Sequence, residues 1–142
     1  MKERALNLPL ETLDYGIWHG DPHGGNAHTA EDQAITFLIS TMVFPAGYDL
    51  ATFRWSVTWN QADEAIWEAF LKGYRDHRSI DEVNIQAIQV FALIRHLYIV
   101  GMQAGHADEW GSSFINEKYI DKHVKFLRSC EALWLRDRKS VV

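Results

Sequence analysis

Between His19 and Asn26 the chain reads His-Gly-Asp-Pro-His-Gly-Gly-Asn, which sets the carboxylate of Asp21 and the amide of Asn26 five positions apart. A loop that turns back tightly over that interval could hold a carboxylate beside an attacking hydroxyl and an amide oxygen beside a metal ion, on opposite sides of a transferring phosphoryl group. Gly24 and Gly25 stand just before Asn26 and offer the backbone freedom for such a return. The stretch admits a second chemistry. His19, Asp21 and His23 alternate, His28 follows, and imidazole and carboxylate groups can converge on zinc. A regular strand would put the first three on one face, but Pro22 and the glycines oppose a strand there. The segment is therefore expected to be a loop.

The pattern His19-Gly20-Asp21-x-His23-x-x-Asn26 resembles the catalytic loop of the aminoglycoside phosphotransferase family, whose relatives include choline, homoserine and some protein kinases. In protein kinases the loop reads His-Arg-Asp-x-x-x-x-Asn, so Gly20 stands where they have Arg. Tyr48-Asp49-Leu50-Ala51 is similar to the family's Asp-Leu-Ala helix start, and the resemblance covers nearly the whole chain. It implies that Asp21 is the catalytic base, that His19 orients the catalytic loop, that Asn26 is a magnesium ligand at the cofactor site, and that Asp49 braces the loop. His23 lies in the motif on the same cofactor side, with no role that its chemistry alone dictates. ATP and magnesium are the implied cofactors, and a small-molecule hydroxyl the implied acceptor.

Two departures from the family accompany the match. Where the family carries Asp-Phe-Asp, with its first Asp a principal metal ligand, this chain reads Ser40-Thr41-Met42, and the stretch from there to Asp49 is shorter than usual. The Ser40 hydroxyl is a weak, neutral candidate ligand, whereas magnesium bound to nucleotide favours carboxylate oxygens. Upstream of His19 there are eighteen residues, with no Gly-rich loop, no strand bearing a phosphate-pairing Lys and no helix for its Glu partner. The expectation is a truncated C-terminal lobe of a protein-kinase-like fold, inactive alone. The alternatives are a phosphotransferase completed by a separate nucleotide-binding lobe, and a non-enzymatic module that self-associates as a homo-oligomer.

These residues need a scaffold, and 142 residues with 47% hydrophobic and 13% aromatic content suffice for one core and fall short of two ordinary domains. The expected fold is mainly α with a small β-hairpin element, a single domain over 1–142 with a loop-and-strand segment at about 14–45 and a helical segment at about 48–138. Net charge is −5 and the 14 Lys and Arg residues are scattered, which argues against a nucleic-acid partner. The single cysteine, Cys130, excludes an internal disulfide and is expected to be a buried thiol in a reducing, cytoplasmic setting. Arg95 and His96 interrupt the apolar run from Val90 to Met102, so neither a membrane span nor a signal peptide is expected.

Periodicity places the elements. Pro9 limits the first residues to one or two helical turns, and short strands are expected at Tyr15–His19, Ala27–Thr29 and Ala34–Ser40. Leu50, Phe53 and Val57 predict a helix from Tyr48 to Thr58, and a second is expected from about Gln61 to His77 with Asn60 as its cap. Ser79-Ile80-Asp81-Glu82 has the form of a capping box opening a long helix, with Val83, Ile88, Phe91, Ile94, Tyr98 and Met102 apolar and Gly105 ending it. Arg95 and His96 are expected to be hydrogen-bonded core or edge residues. Asp108, Glu109 and Trp110 are read as a connecting loop, and Ile120, Val124, Leu127 and Trp134 as one side of a last helix from Glu117 to Arg136. Trp55, Trp59 and Trp67 suit core or interface positions better than an aromatic ligand box.

Overall fold

The computed structural model describes residues 2–32, 34–38, 42–45 and 47–137. A short helix, α1 (Lys2–Leu6), and a 3-10 turn at Leu10–Thr12 lead into strand β1 (Tyr15–Trp18). The loop segment follows, then β2 (Ala27–Thr29), β3 (Ile35–Phe37) and β4 (Met42–Pro45). Five helices complete the described chain: α2 (Gly47–Trp59), α3 (Glu64–Arg75), α4 (Glu82–Gly105), α5 (Ala107–Trp110) and α6 (Glu117–Asp137). Helices account for 64% of the residues, so the class is mainly α with a small antiparallel β part, as the sequence predicts.

The β part is two nested pairs. β2 and β3 form a hairpin with Ala27 opposite Phe37, while β1 pairs with β4, Tyr15 opposite Pro45 and Trp18 opposite Met42. The sequence reading has no β4. Pro45 disguises it, because proline is tolerated only where a strand needs no further N–H donor, here at the strand's last residue. β1 thus runs into the loop at His19, and β4 delivers the chain to α2.

Contacts divide the chain into two compact units, residues 2–92 and residues 93 onward, with the boundary inside α4. In the first unit a core of Leu13, Tyr48, Leu50, Ala51, Ala87, Ile88, Phe91 and Ala92 joins α2 to the first half of α4, with Trp55, Trp67, Phe70 and Tyr74 packed against it. Each fully buried Leu, Ile or Phe contributes about 1.5–3 kcal/mol, so this cluster is what fixes α2 and, with it, Asp49. A Cβ added at Gly47 would lie 3.5 Å from the Asn84 carbonyl and 3.6 Å from the Phe91 ring, so the start of α2 runs close to α4. Phe53 stacks on Phe70 at 3.9 Å and Arg54 lies over Trp67 while binding Glu64, which secures α3. The three tryptophans are packing residues: Trp55 stacks with Trp59, and Trp67 with Phe70.

Several boundaries differ from expectation for local reasons. Gln61 takes a left-handed conformation (φ 52°) directly after α2, which delays α3 to Glu64. Asp63, not Asn60, caps it by accepting from the Ala65 N–H at 2.9 Å, while the Asn60 side chain folds back onto the Ser56 carbonyl. At α4 the Asp81 carboxylate accepts from the Asn84 N–H at 2.8 Å, so Asp81 caps the helix in place of the expected Ser79–Glu82 exchange. The 107–110 stretch, read as loop, is a single helical turn.

In the second unit α6 turns a different face inward from the one hydrophobicity selects. His123, Phe126 and Cys130 are buried, whereas Ile120 and Val124 are 52% and 37% exposed. α4 likewise buries Leu93, Arg95 and His96 and leaves Ile94 and Tyr98 outside. By length and composition α4 could cross a membrane. Its two interrupting residues, Arg95 and His96, are nonetheless buried within the fold.

Candidate functional site: the His19–Asn26 loop

The loop is held by a carboxylate from the first turn of α2. Asp49 accepts from the His19 N–H at 2.9 Å and from the Gly20 N–H at 2.8 Å, one oxygen to each donor. Burial pushes the Asp49 carboxyl above its ordinary value, against the opposing pull of those two N–H groups. Its desolvation is therefore a cost, offset by two charge-assisted bonds that set the entry to the loop. Gly20 makes the entry possible. Its φ of 82° is left-handed, a conformation glycine adopts without the penalty a side chain would carry.

The next bonds are internal. The Asp21 N–H donates to His19 Nδ1 at 3.1 Å, which leaves the proton of the neutral ring on Nε2. That Nε2 is buried and has no hydrogen-bond partner among the described residues, and the Phe37 ring lies edge-on to the imidazole at 5.7 Å. His19 thus holds the backbone of Asp21 through its ring. The Asn26 side-chain nitrogen donates to the Asp21 carbonyl at 2.9 Å and to Asp21 Oδ2 at 3.2 Å, closing the loop across its five residues. The Asn26 backbone accepts from the Leu38 N–H at 3.0 Å, so β3 anchors the far side of the turn.

His23 acquires a definite part. Its Nδ1 accepts from the Gly25 N–H at 3.0 Å and caps a 3-10 turn at Gly24–Asn26, while its Nε2 faces Asp21 Oδ2 at 3.5 Å. A Cβ on Gly25 would sit 2.8 Å from the His23 ring, so this glycine serves close approach, and the left-handed turn falls at Gly20 instead of at Gly24 or Gly25. Sequence reasoning did not find the Gly20 turn or the cap.

The structure therefore brings Asp21, Asn26, His19, His23 and Asp49 together, and the fit to a metal can be tested on them. With both Asn26 amide protons directed at Asp21, the Asn26 amide oxygen remains for a cation, next to a carboxylate already engaged by Asn26 and His23. Magnesium requires near-octahedral oxygen coordination, usually with carboxylates and phosphates among the donors. Ser40 lies outside the described residues. Among those described, no group of three or more His, Cys, Asp or Glu could hold a metal ion. The alternative zinc cluster of His19, Asp21, His23 and His28 is thus not assembled, because His19 and His23 spend their Nδ1 atoms on backbone donors. A magnesium–nucleotide site is not fitted by these donors alone.

No family model matches the chain. An uncharacterized protein of Deinococcus radiodurans is 31% identical over 125 residues, covering 84% of this chain and 36% of that protein. An uncharacterized protein of Synechocystis is 31% identical over 99 residues, covering 66% of this chain and 27% of that protein. The chain spans about a third of the length of these relatives.

Proposed function

We propose that the chain is the loop-bearing, C-terminal part of a phosphotransferase fold of the aminoglycoside-kinase type, without phosphotransferase activity of its own. The observation that carries this reading is that the His19 and Gly20 N–H groups donate to Asp49 at the entry to the loop while the Asn26 amide donates to Asp21 across it. A carboxylate next to an amide in a braced turn is what proton abstraction from a hydroxyl beside a metal-bound phosphate requires. The absence of independent activity follows from the donor set, with a neutral Ser40 where the family has its principal carboxylate.

The intact loop favours one further reading. Completed by a separate nucleotide-binding lobe, Asp21 would deprotonate a small-molecule hydroxyl, and the exposed apolar side chains of Ile17 and Val43, opposite each other on the β1–β4 pair, would suit a covering partner or second copy. The test is ATP turnover with magnesium by the purified chain against Asp21→Ala. Equal background rates are expected; a rate at least tenfold above the variant would overturn the proposal.

A further inference from the structure

Outside the loop, the second unit contains a buried imidazole pair that phosphoryl transfer does not use. His96 of α4 is fully buried and His123 of α6 nearly so, with His96 Nε2 and His123 Nδ1 3.1 Å apart. The rings sit among aromatic neighbours. Phe126 stacks on His96 with centroids 4.3 Å apart, and the Tyr119 ring lies 4.2 Å from His123. A second tie between the same helices lies one turn along α6 and two along α4, where the Tyr119 hydroxyl donates to Gln103 at 2.7 Å.

We infer that this pair is an acid-sensitive clasp between α4 and α6, closed while the imidazoles are neutral and opened when both take up protons. A neutral imidazole has one N–H and one lone pair, so two of them can share one hydrogen bond across 3.1 Å. One added proton preserves that bond and buries a charge. A second leaves N–H facing N–H at the same distance, with no lone pair between them and two like charges in contact.

The surroundings resist the first proton as well. Lys122 on α6 disfavours a proton on His123, and the buried Arg95 directly precedes His96 on α4. Tyr119, whose ring lies against His123, has its hydroxyl pushed above the ordinary value by burial and is neutral near pH 7. Burial, then His123, hold His96 down at about 4, and burial, then Lys122, lower His123. Both protons are therefore taken up only in acid, and the closed form persists at neutral pH.

The test is a ring-nitrogen NMR titration of the intact chain from pH 7.5 to 3.5, followed in parallel by amide hydrogen exchange along α4 and α6. The expected result is that both rings titrate below the ordinary 6.5, His96 at about 4, and that the 93–105 stretch of α4 loses exchange protection over the same range. In the double variant His96→Leu/His123→Phe, protection of that stretch should be the same at pH 4 and pH 7. Either ring titrating near 6.5, or the double variant losing protection as the wild type does, would overturn the inference. If the double variant does not fold, the wild-type titration decides alone.

Discussion

Replacing Asp49 probes the brace directly. Its carboxylate accepts two backbone N–H groups at 2.9 and 2.8 Å, and hydrogen bonds to a charged acceptor are worth about 1.5–3 kcal/mol each. In Asp49→Asn one oxygen remains, so one N–H keeps its acceptor and the other faces an NH2 group. The loss of about 2 kcal/mol is partly offset, because burial already disfavours the Asp49 charge and the amide carries none. A net cost of about 1–2 kcal/mol is expected. Asp49→Ala removes both acceptors from part-buried donors and should cost about 2–4 kcal/mol. For a chain of this length each kcal/mol lowers Tm by about 3 °C, giving about 5 °C for Asn and about 10 °C for Ala. Thermal unfolding followed by circular dichroism gives the totals, and hydrogen exchange at the His19 and Gly20 amides localises them. An Ala variant with unchanged Tm and unchanged protection at those two amides would refute the reasoning.

Three further outcomes follow from the packing and the titrating groups. Asp63→Ala removes an N-cap and should cost about 1 kcal/mol by urea unfolding, Asp81→Ala should lower the urea midpoint in the same direction, and Asn60→Ala should leave the start of α3 unchanged. Leu50→Ala empties a site 1% exposed at the centre of the first unit and should cost about 2–5 kcal/mol, the largest effect of these truncations. Because His96 titrates at about 4 when folded and at 6.5 when not, the unfolded chain binds the extra proton between those values. Stability should therefore fall by about 3 kcal/mol as pH drops from 6.5 to 4, in urea midpoints measured across that range. Asp49, raised by burial, acts in the opposite sense, its contribution falling as pH climbs above about 4.

The loop is legible in the five-residue spacing of Asp21 and Asn26, whereas the distant Asp49 is reached only through the resemblance of Asp49-Leu50-Ala51 to a family motif; in the fold Asp49 accepts from Gly20 and Asn26 donates to Asp21. The apolar positions Leu50 and Val57 of α2 are legible too, and both are buried. What escaped depended on information that no stripe carries. Gln61 bends the chain with a positive φ, and that bend moves the cap from Asn60 to Asp63. Gly20 takes the left-handed turn that the paired glycines at 24 and 25 seemed better placed to supply. On α6 the inward face is set by an imidazole pair and a phenyl ring, which a count of aliphatic residues passes over in favour of Ile120 and Val124. Local pattern finds elements; the partner across the core decides which face they bury.

We propose that the loop keeps a catalytic arrangement while the chain alone lacks the donors for a magnesium–nucleotide complex. Calorimetric titration of ATP with magnesium into the purified protein tests it most directly, alongside Asn26→Ala. No saturable heat from either protein is the predicted result. A saturable isotherm from the unmodified chain, lost in Asn26→Ala, would contradict the account and return Asn26 and Asp21 to service in a working nucleotide site.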